Sequence, residues 1–116
     1  MKIIILIPVY NDWKSASKLL EEINSNISGL KYFFSVIFVN DASTEKQNIY
    51  APNTENIDSI QIINIKDNMG HARCIATGLK YIFDKEEFDY VIPMDGDGED
   101  RPEEIKNFVE FINYEK

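Results

Sequence analysis

Cysteine, histidine and tryptophan occur once each in this 116-residue chain. A lone thiol, Cys74, cannot form an intrachain disulfide, so a reducing compartment is the simpler expectation. Its surroundings, Ala72-Arg73-Cys74-Ile75-Ala76, read as half-apolar helix and predict an inert, packed cysteine. The only histidine, His71, has no second histidine, serine or cysteine beside it. A zinc site or a nucleophilic triad is therefore unsupported, and an orienting or structural role is expected. Positive charge is also scarce: 12 Lys and Arg stand against 20 Asp and Glu, for a net charge of −8. That balance, with its basic residues scattered, argues against nucleic acid or an anionic membrane surface as the main partner. It leaves room for a nucleotide whose phosphates are met locally by a divalent cation.

Long apolar runs and glycine-rich loops are missing as well. No stretch approaches the roughly 18 apolar residues that cross a bilayer. The opening run reaches Pro8 without a small-residue cleavage site, so it does not read as a signal peptide. The expectation is a soluble cytoplasmic chain without a transmembrane segment, able to act at a membrane surface. No Gly-Lys-Ser/Thr loop and no Gly-x-Gly-x-x-Gly after the first apolar run occur among its 5 glycines, which disfavours P-loop and nicotinamide-binding domains.

What is present suits one domain. Apolar residues make up 44% of the chain, including 7 Phe and 6 Tyr, enough for a single core. The near-continuous apolar run at residues 3–9 reads as a strand buried on both faces, and the runs at 35–39, 60–65 and 90–94 read as further strands. Helical spacing follows the first run in Ala16, Leu19, Leu20, Ile23 and Ile27, capped by Asn11 or Asp12 and ended by Ser28-Gly29. Polar residues 45–59, with Pro52, predict a short helix and a loop. From Asn68 a further helix is expected, with Ala72, Ile75, Ala76, Leu79 and Ile82 on its buried face. Pro102, followed by Glu103 and Glu104, suits the start of a last helix that buries Ile105, Phe108, Val109 and Ile112. Alternating strands and helices imply an α/β fold with a mostly parallel sheet between helical layers. Ligands bind such sheets beyond the carboxyl ends of the strands. Those ends carry Tyr10-Asn11-Asp12, Asn40-Asp41-Ala42-Ser43, Lys66-Asp67-Asn68 and Asp95-Gly96-Asp97.

Carboxylates dominate that edge. Asp95 and Asp97, with a turn at Gly96, could converge on a hard divalent cation such as Mg2+ or Mn2+, which prefers oxygen ligands and shares them with phosphates. A plain surface turn is the alternative. A helix–loop–helix calcium site fails, because a strand precedes the loop and Lys106 stands where a glutamate is needed. Asp41 could accept hydrogen bonds from a base or ribose, or serve with Ser43 or Thr44 as a local cap. Asn68-Met69-Gly70-His71 makes a turn into a helix whose N–H groups could face an anion, with Arg73 as a phosphate partner; a cap and a solvated arginine explain it equally. Trp13 reads as a packed helix residue rather than a sugar platform. A receiver domain would need a late lysine after a fifth strand, and no fifth strand is visible.

Four segments in order resemble the inverting family 2 glycosyltransferases, above all the branch of dolichyl-phosphate mannose synthases and undecaprenyl-phosphate sugar transferases. Ile7-Pro8-Val9-Tyr10-Asn11-Asp12 resembles Pro-x-Tyr-Asn-Glu, and Val39-Asn40-Asp41-Ala42-Ser43-Thr44 resembles Val-Asp-Asp-Gly-Ser-Thr. Asn68-Met69-Gly70-His71 resembles Asn-x-Gly-His, and the segment from Met94 through Asp95, Asp97 and Asp100 to Glu103 resembles Met-Asp-Ala-Asp-Leu-Gln-Asp-Pro-Pro-Glu. The resemblance covers essentially the whole chain. It implies a three-layer α/β/α GT-A fold, truncated to the donor-binding part, with the acceptor-binding half absent. Pro8, Tyr10 and Asp12 would line the base and ribose pocket and Asp41 would contact the nucleotide. Asp95 would sit near ribose and metal, and Asp97 would be the principal metal ligand in the Asp-x-Asp motif. The partner would be a nucleotide-diphosphate sugar, and the reaction an inverting transfer to a lipid-phosphate or saccharide acceptor.

The chain departs from the pattern at Asn40 for aspartate, Ala42 for glycine and Gly98 for an apolar residue. It also lacks the later strands that carry the acceptor site and, in many branches, the catalytic base. A slow or inactive isolated domain is therefore expected, with a non-catalytic nucleotide- or protein-binding module as the alternative. An uncovered sheet edge would favour a homo-oligomer.

Overall fold

The computed structural model describes residues 1–96 and 101–115, with side chains through Ile112. Its elements are β1 (Lys2–Val9), α1 (Trp13–Asn26), β2 (Phe33–Asn40), β3 (Ser59–Asn64), α2 (His71–Lys85), β4 (Tyr90–Pro93) and α3 (Glu104–Glu115). The four strands form one parallel sheet in the order β3-β2-β1-β4. In register, Ile5 of the central β1 lies between Val36 and Ile92.

Because successive side chains point to opposite faces, the apolar run of β1 supplies two cores. Ile3, Ile5, Ile7 and Val9 pack with Phe34, Val36 and Phe38 under α1 and α3. Ile4 and Leu6 pack with Ile37 and Val39 under α2. The expected α/β/α layering follows. Asp12 caps α1, its carboxylate accepting the Ser15 N–H at 3.1 Å, and Trp13, Ala16, Leu19, Leu20, Ile23 and Ile27 are buried beneath it. In α3, Ile105, Val109 and Ile112 are buried, and Phe108 meets Tyr90 edge-on at 5.5 Å.

Two expectations fail. Residues 45–58 contain no helix. They form an irregular strap along α1, whose side chains satisfy the strap's backbone: Tyr50 N–H donates to Ser17 Oγ at 2.9 Å, Asn53 N–H to Glu21 Oε1 at 3.4 Å, and Asn56 N–H to Asn24 Oδ1 at 2.7 Å. A neighbouring helix thus supplies the acceptors that a helix of its own would have supplied. The face of α2 also differs. Cys74, Gly78 and Ile82 are buried, Ile75 and Leu79 half-buried, and Ala72 and Ala76 exposed. The cause is close approach: a Cβ on Gly78 would lie 2.6 Å from Leu6 Cδ1 and 3.0 Å from Val39 Cγ2. The two alanines are apolar in type but too small to compete with that seat.

Both flanking strands begin with the same device. The Asp58 carboxylate accepts the Phe34 N–H at 2.9 Å while its own N–H donates to the Phe34 carbonyl at 2.7 Å. Asp89 accepts the Lys2 N–H at 2.7 Å and donates to the Lys2 carbonyl at 2.8 Å. No helix among the described residues is long and apolar enough to cross a membrane.

Candidate functional site

The carboxyl ends of β1, β2 and β3 are tied together before any ligand is considered. Asn11 adopts a left-handed backbone, φ 61°, which asparagine tolerates better than most residues. In that conformation its N–H donates to Ser43 Oγ at 2.9 Å, its Nδ2 donates to Thr44 Oγ1 at 3.1 Å, and its Oδ1 accepts the Glu45 N–H at 2.9 Å. Asn40 Oδ1 accepts the Ser43 N–H at 3.1 Å, and its Nδ2 donates to Asn64 Oδ1 at 2.9 Å. An aspartate could not make that second bond, so the replacement at position 40 joins β2 to β3. Ala42 carries φ 53°, the left-handed region where glycine is free of strain.

Above these ends lies a cleft of about 520 Å³ lined by Pro8, Val9, Tyr10, Asp12, Asp41, Asn68, Gly70, His71, Asp95 and Gly96. Of the expected nucleotide-site residues, Pro8, Tyr10, Asp12, Asp41, Asn68, Gly70 and Asp95 meet there; Arg73 is exposed and does not line it. Asp97 lies outside the described residues. Tyr10 is half exposed, leaving ring surface for a stacked or edge-on partner.

Asp41 is the most constrained group. Only 5% exposed, it accepts the Met69 N–H on Oδ1 at 2.6 Å and the Gly70 N–H on Oδ2 at 3.0 Å. Asn68 Nδ2 donates to the same Oδ2 at 3.1 Å and to the Asp41 carbonyl at 3.2 Å. Burial alone would raise its pKa, but the Met69 N–H, the Cys74 thiol, the Gly70 N–H and nearby His71 outweigh it and hold the carboxyl below its ordinary value. Cys74 shows the converse: burial, reinforced by the Asp41 carboxylate, pushes its thiol up to about 12. The packed cysteine expected from sequence is buried. Two of the N–H groups expected to face an incoming anion thus already face an internal one.

At the other wall, His71 Nε2 lies 2.6 Å from Asp95 Oδ1, both groups well exposed. Nothing local in the sequence signals this pair, because its members are 24 residues apart. Gly96 follows with φ 76°, and a Cβ there would come within 2.8 Å of Ile7 Cγ2 and 3.3 Å of the Pro8 carbonyl. That turn must remain glycine for β4 to deliver Asp95 beside β1. Among the described residues no three His, Cys, Asp or Glu groups converge to hold a metal by themselves. Asp12, Asp41 and Asp95 nevertheless make the cleft acidic, with oxygen donors of the kind hard cations take.

A three-layer parallel fold with a polar cleft at its carboxyl edge is a GT-A-like arrangement, and the family match defines it as such. The chain belongs to glycosyl transferase family 2, whose profile matches residues 4–116. It is 31% identical over 110 residues to an undecaprenyl-phosphate 4-deoxy-4-formamido-L-arabinose transferase of Proteus mirabilis, covering 93% of this chain and 32% of that protein. A transferase of the same name from Pseudomonas fluorescens is 34% identical over 107 residues, 90% of this chain and 30% of the relative. An uncharacterised glycosyltransferase of Synechocystis is 30% identical over 111 residues, 91% of this chain and 32% of its own. The chain therefore spans about a third of the length of these relatives.

Proposed function

We propose that the cleft binds a nucleotide-diphosphate sugar together with Mg2+ or Mn2+, as the donor half of an inverting transfer to a lipid-phosphate or saccharide acceptor. One observation carries the reading. Residues from the ends of β1, β2 and β4 and from the turn before α2 converge on a single acidic cleft large enough for a nucleotide. Pro8, Tyr10 and Asp12 stand against base and ribose, and Asp41 with Asn68 and Gly70 forms the wall beside them. Asp95, with Asp97, is the metal-ligand pair.

A bound metal would offset diphosphate charge, which these carboxylates alone would repel. In the transfer, an acceptor oxygen bonds to the anomeric carbon from the face opposite the diphosphate, and the sugar–diphosphate C–O bond breaks. The nucleoside diphosphate departs with that electron pair. A lipid phosphate is already anionic and needs no base, whereas a saccharide hydroxyl must lose a proton. The relatives named for transfer to undecaprenyl phosphate favour the first acceptor class.

Calorimetry tests the donor site. Asp97→Asn should weaken manganese-dependent binding of a nucleoside diphosphate far more than binding of the free nucleoside; equal losses would sink the ligand assignment. For transfer, labelled uridine and guanosine diphosphate sugars are incubated with polyprenyl-phosphate and saccharide acceptors, and products are read by mass spectrometry. The isolated chain should bind the donor yet transfer slowly or not at all, and multiple turnovers would overturn that division of labour.

A further inference from the structure

We infer that His71 is a positioning residue for Asp95: its ring N–H selects the direction in which that carboxylate is presented to a cation and diphosphate in the cleft. The functional half of the inference rests on the donor reading of the cleft, and the structural half does not.

The two backbones are set independently of the pair. At the end of β4 the Met94 N–H donates to the Leu6 carbonyl at 2.9 Å. Gly96, φ 76°, then turns where a Cβ would meet Ile7 Cγ2 and the Pro8 carbonyl. Asp95 therefore leaves the sheet between two fixed points. His71 is the first residue of α2, and Gly78 seats that helix against Leu6 and Val39. Leu6 is common to both anchors: its carbonyl holds the end of β4, and its side chain lies under α2.

What the backbone leaves open is the direction of the Asp95 side chain, which is 60% exposed. An aspartate so placed has more than one staggered rotamer open to it, and His71 Nε2, 2.6 Å from Oδ1, selects among them. A carboxylate only accepts, so Nε2 carries the proton and the tautomer is set. An ion pair this exposed adds little to the stability of a fold, so holding the chain together is not its main effect. Mg2+ demands near-ideal octahedral geometry, and groups that hydrogen-bond a metal's carboxylate ligand govern its orientation and affinity. A carboxylate already aimed need not be ordered when the ligand arrives. Arg73, the phosphate partner expected from this helix, does not line the cleft, whereas His71 does.

Because His71 is the sole histidine, its imidazole nitrogens are read by NMR without ambiguity. In the ligand-free chain they should report the Nε2–H tautomer, and Asp95→Ala should shift them. Identical imidazole signals in the two proteins would overturn the inference. His71→Ala and His71→Gln are compared next, since a glutamine amide reaches to where Nε2 stands and keeps a donor. Urea midpoints of both should stay at that of the unaltered chain. Manganese-dependent binding of uridine and guanosine diphosphates is then measured by calorimetry and by loss of the free-manganese resonance. It should fall about 10–100-fold in His71→Ala and be largely restored in His71→Gln, with far less change for the free nucleosides. Equal losses in the two variants, or no loss in His71→Ala, would overturn the positioning role. The imidazole spectrum needs no ligand, so if the unaltered chain binds neither manganese nor nucleotide, the donor reading fails and the spectrum still decides the pairing.

Discussion

The two faces of the sheet are built from alternate residues of the same strands and do different work. Under α1 and α3 lies a deep core of Ile3, Ile5, Ile7, Val9, Phe34, Val36 and Phe38, with the strap adding Ile57. Under α2 lies a thin one, Ile4, Leu6, Ile37, Val39, Cys74 and Ile82, where Gly78 lets the helix come down on Leu6. The deep face holds most of the buried apolar surface and so most of the stability. The thin face is tight at Gly78, and its helix begins at the wall of the cleft. Stability and site geometry are thus assigned to opposite sides of one sheet.

A cavity in the deep core offers the harshest way to break that comparison. Phe38→Ala should cost about 3–5 kcal/mol, a large part of the stability of a domain this size, as read by urea unfolding. Amide chemical shifts at 68–70 in the molecules still folded should barely move. Overpacking the thin face should invert the pattern. Gly78→Val should cost about 1–3 kcal/mol, yet shift the Met69 and Gly70 resonances and weaken nucleotide binding. Equal disturbance of the cleft per unit of stability lost by the two variants would abolish the distinction.

Acid sharpens it further. The Asp41 carboxyl is held below its ordinary value of 3.8, so its ionised form stabilises the fold fully above that value, and the contribution is lost as pH falls through the lower folded one. The stability gap between the unaltered chain and Asp41→Asn should therefore be constant near neutrality and narrow below pH about 4, in urea midpoints taken across the range. The smallest effect is a gain. Ala42→Gly should stabilise by about 0.5–1 kcal/mol, because relief of a left-handed alanine exceeds the added freedom of the unfolded glycine. Thermal unfolding would register it, and a loss would show that the Ala42 side chain is needed where it is.

The strands were legible because runs such as Ile3-Ile4-Ile5-Leu6-Ile7 are short, rich in β-branched residues and buried on both faces. The helices α1 and α3 were legible for a similar reason, as large apolar residues mark their inner sides. The face of α2 was obscured because close contact there is made by Cys74 and Gly78, residues that carry little hydrophobic signal. The strap was misread because its backbone partners sit on Ser17, Glu21 and Asn24, which nothing local announces. At the cleft, sequence located the polar strand ends but not how they are used. The pairing of His71 with Asp95, and the hold of Asp41 on Met69 and Gly70, join segments more than twenty residues apart.

The two aspartate clamps at the lower rim have a bearing on the upper one. Parallel strands can slide past one another, and a slip of one residue moves a strand end by about 3.3 Å and turns every side chain to the opposite face. Asp58 and Asp89 each hold a residue at the start of a neighbouring strand, Phe34 of β2 and Lys2 of β1, by two bonds, so β3 and β4 can be entered at one level only. The strands then act as rulers of fixed length. A level starting line at the foot of the sheet delivers Asn64 beside Asn40, and Asp95 beside the end of β1, at matched heights. The cleft is therefore calibrated from its far end, by two residues that never approach what it binds.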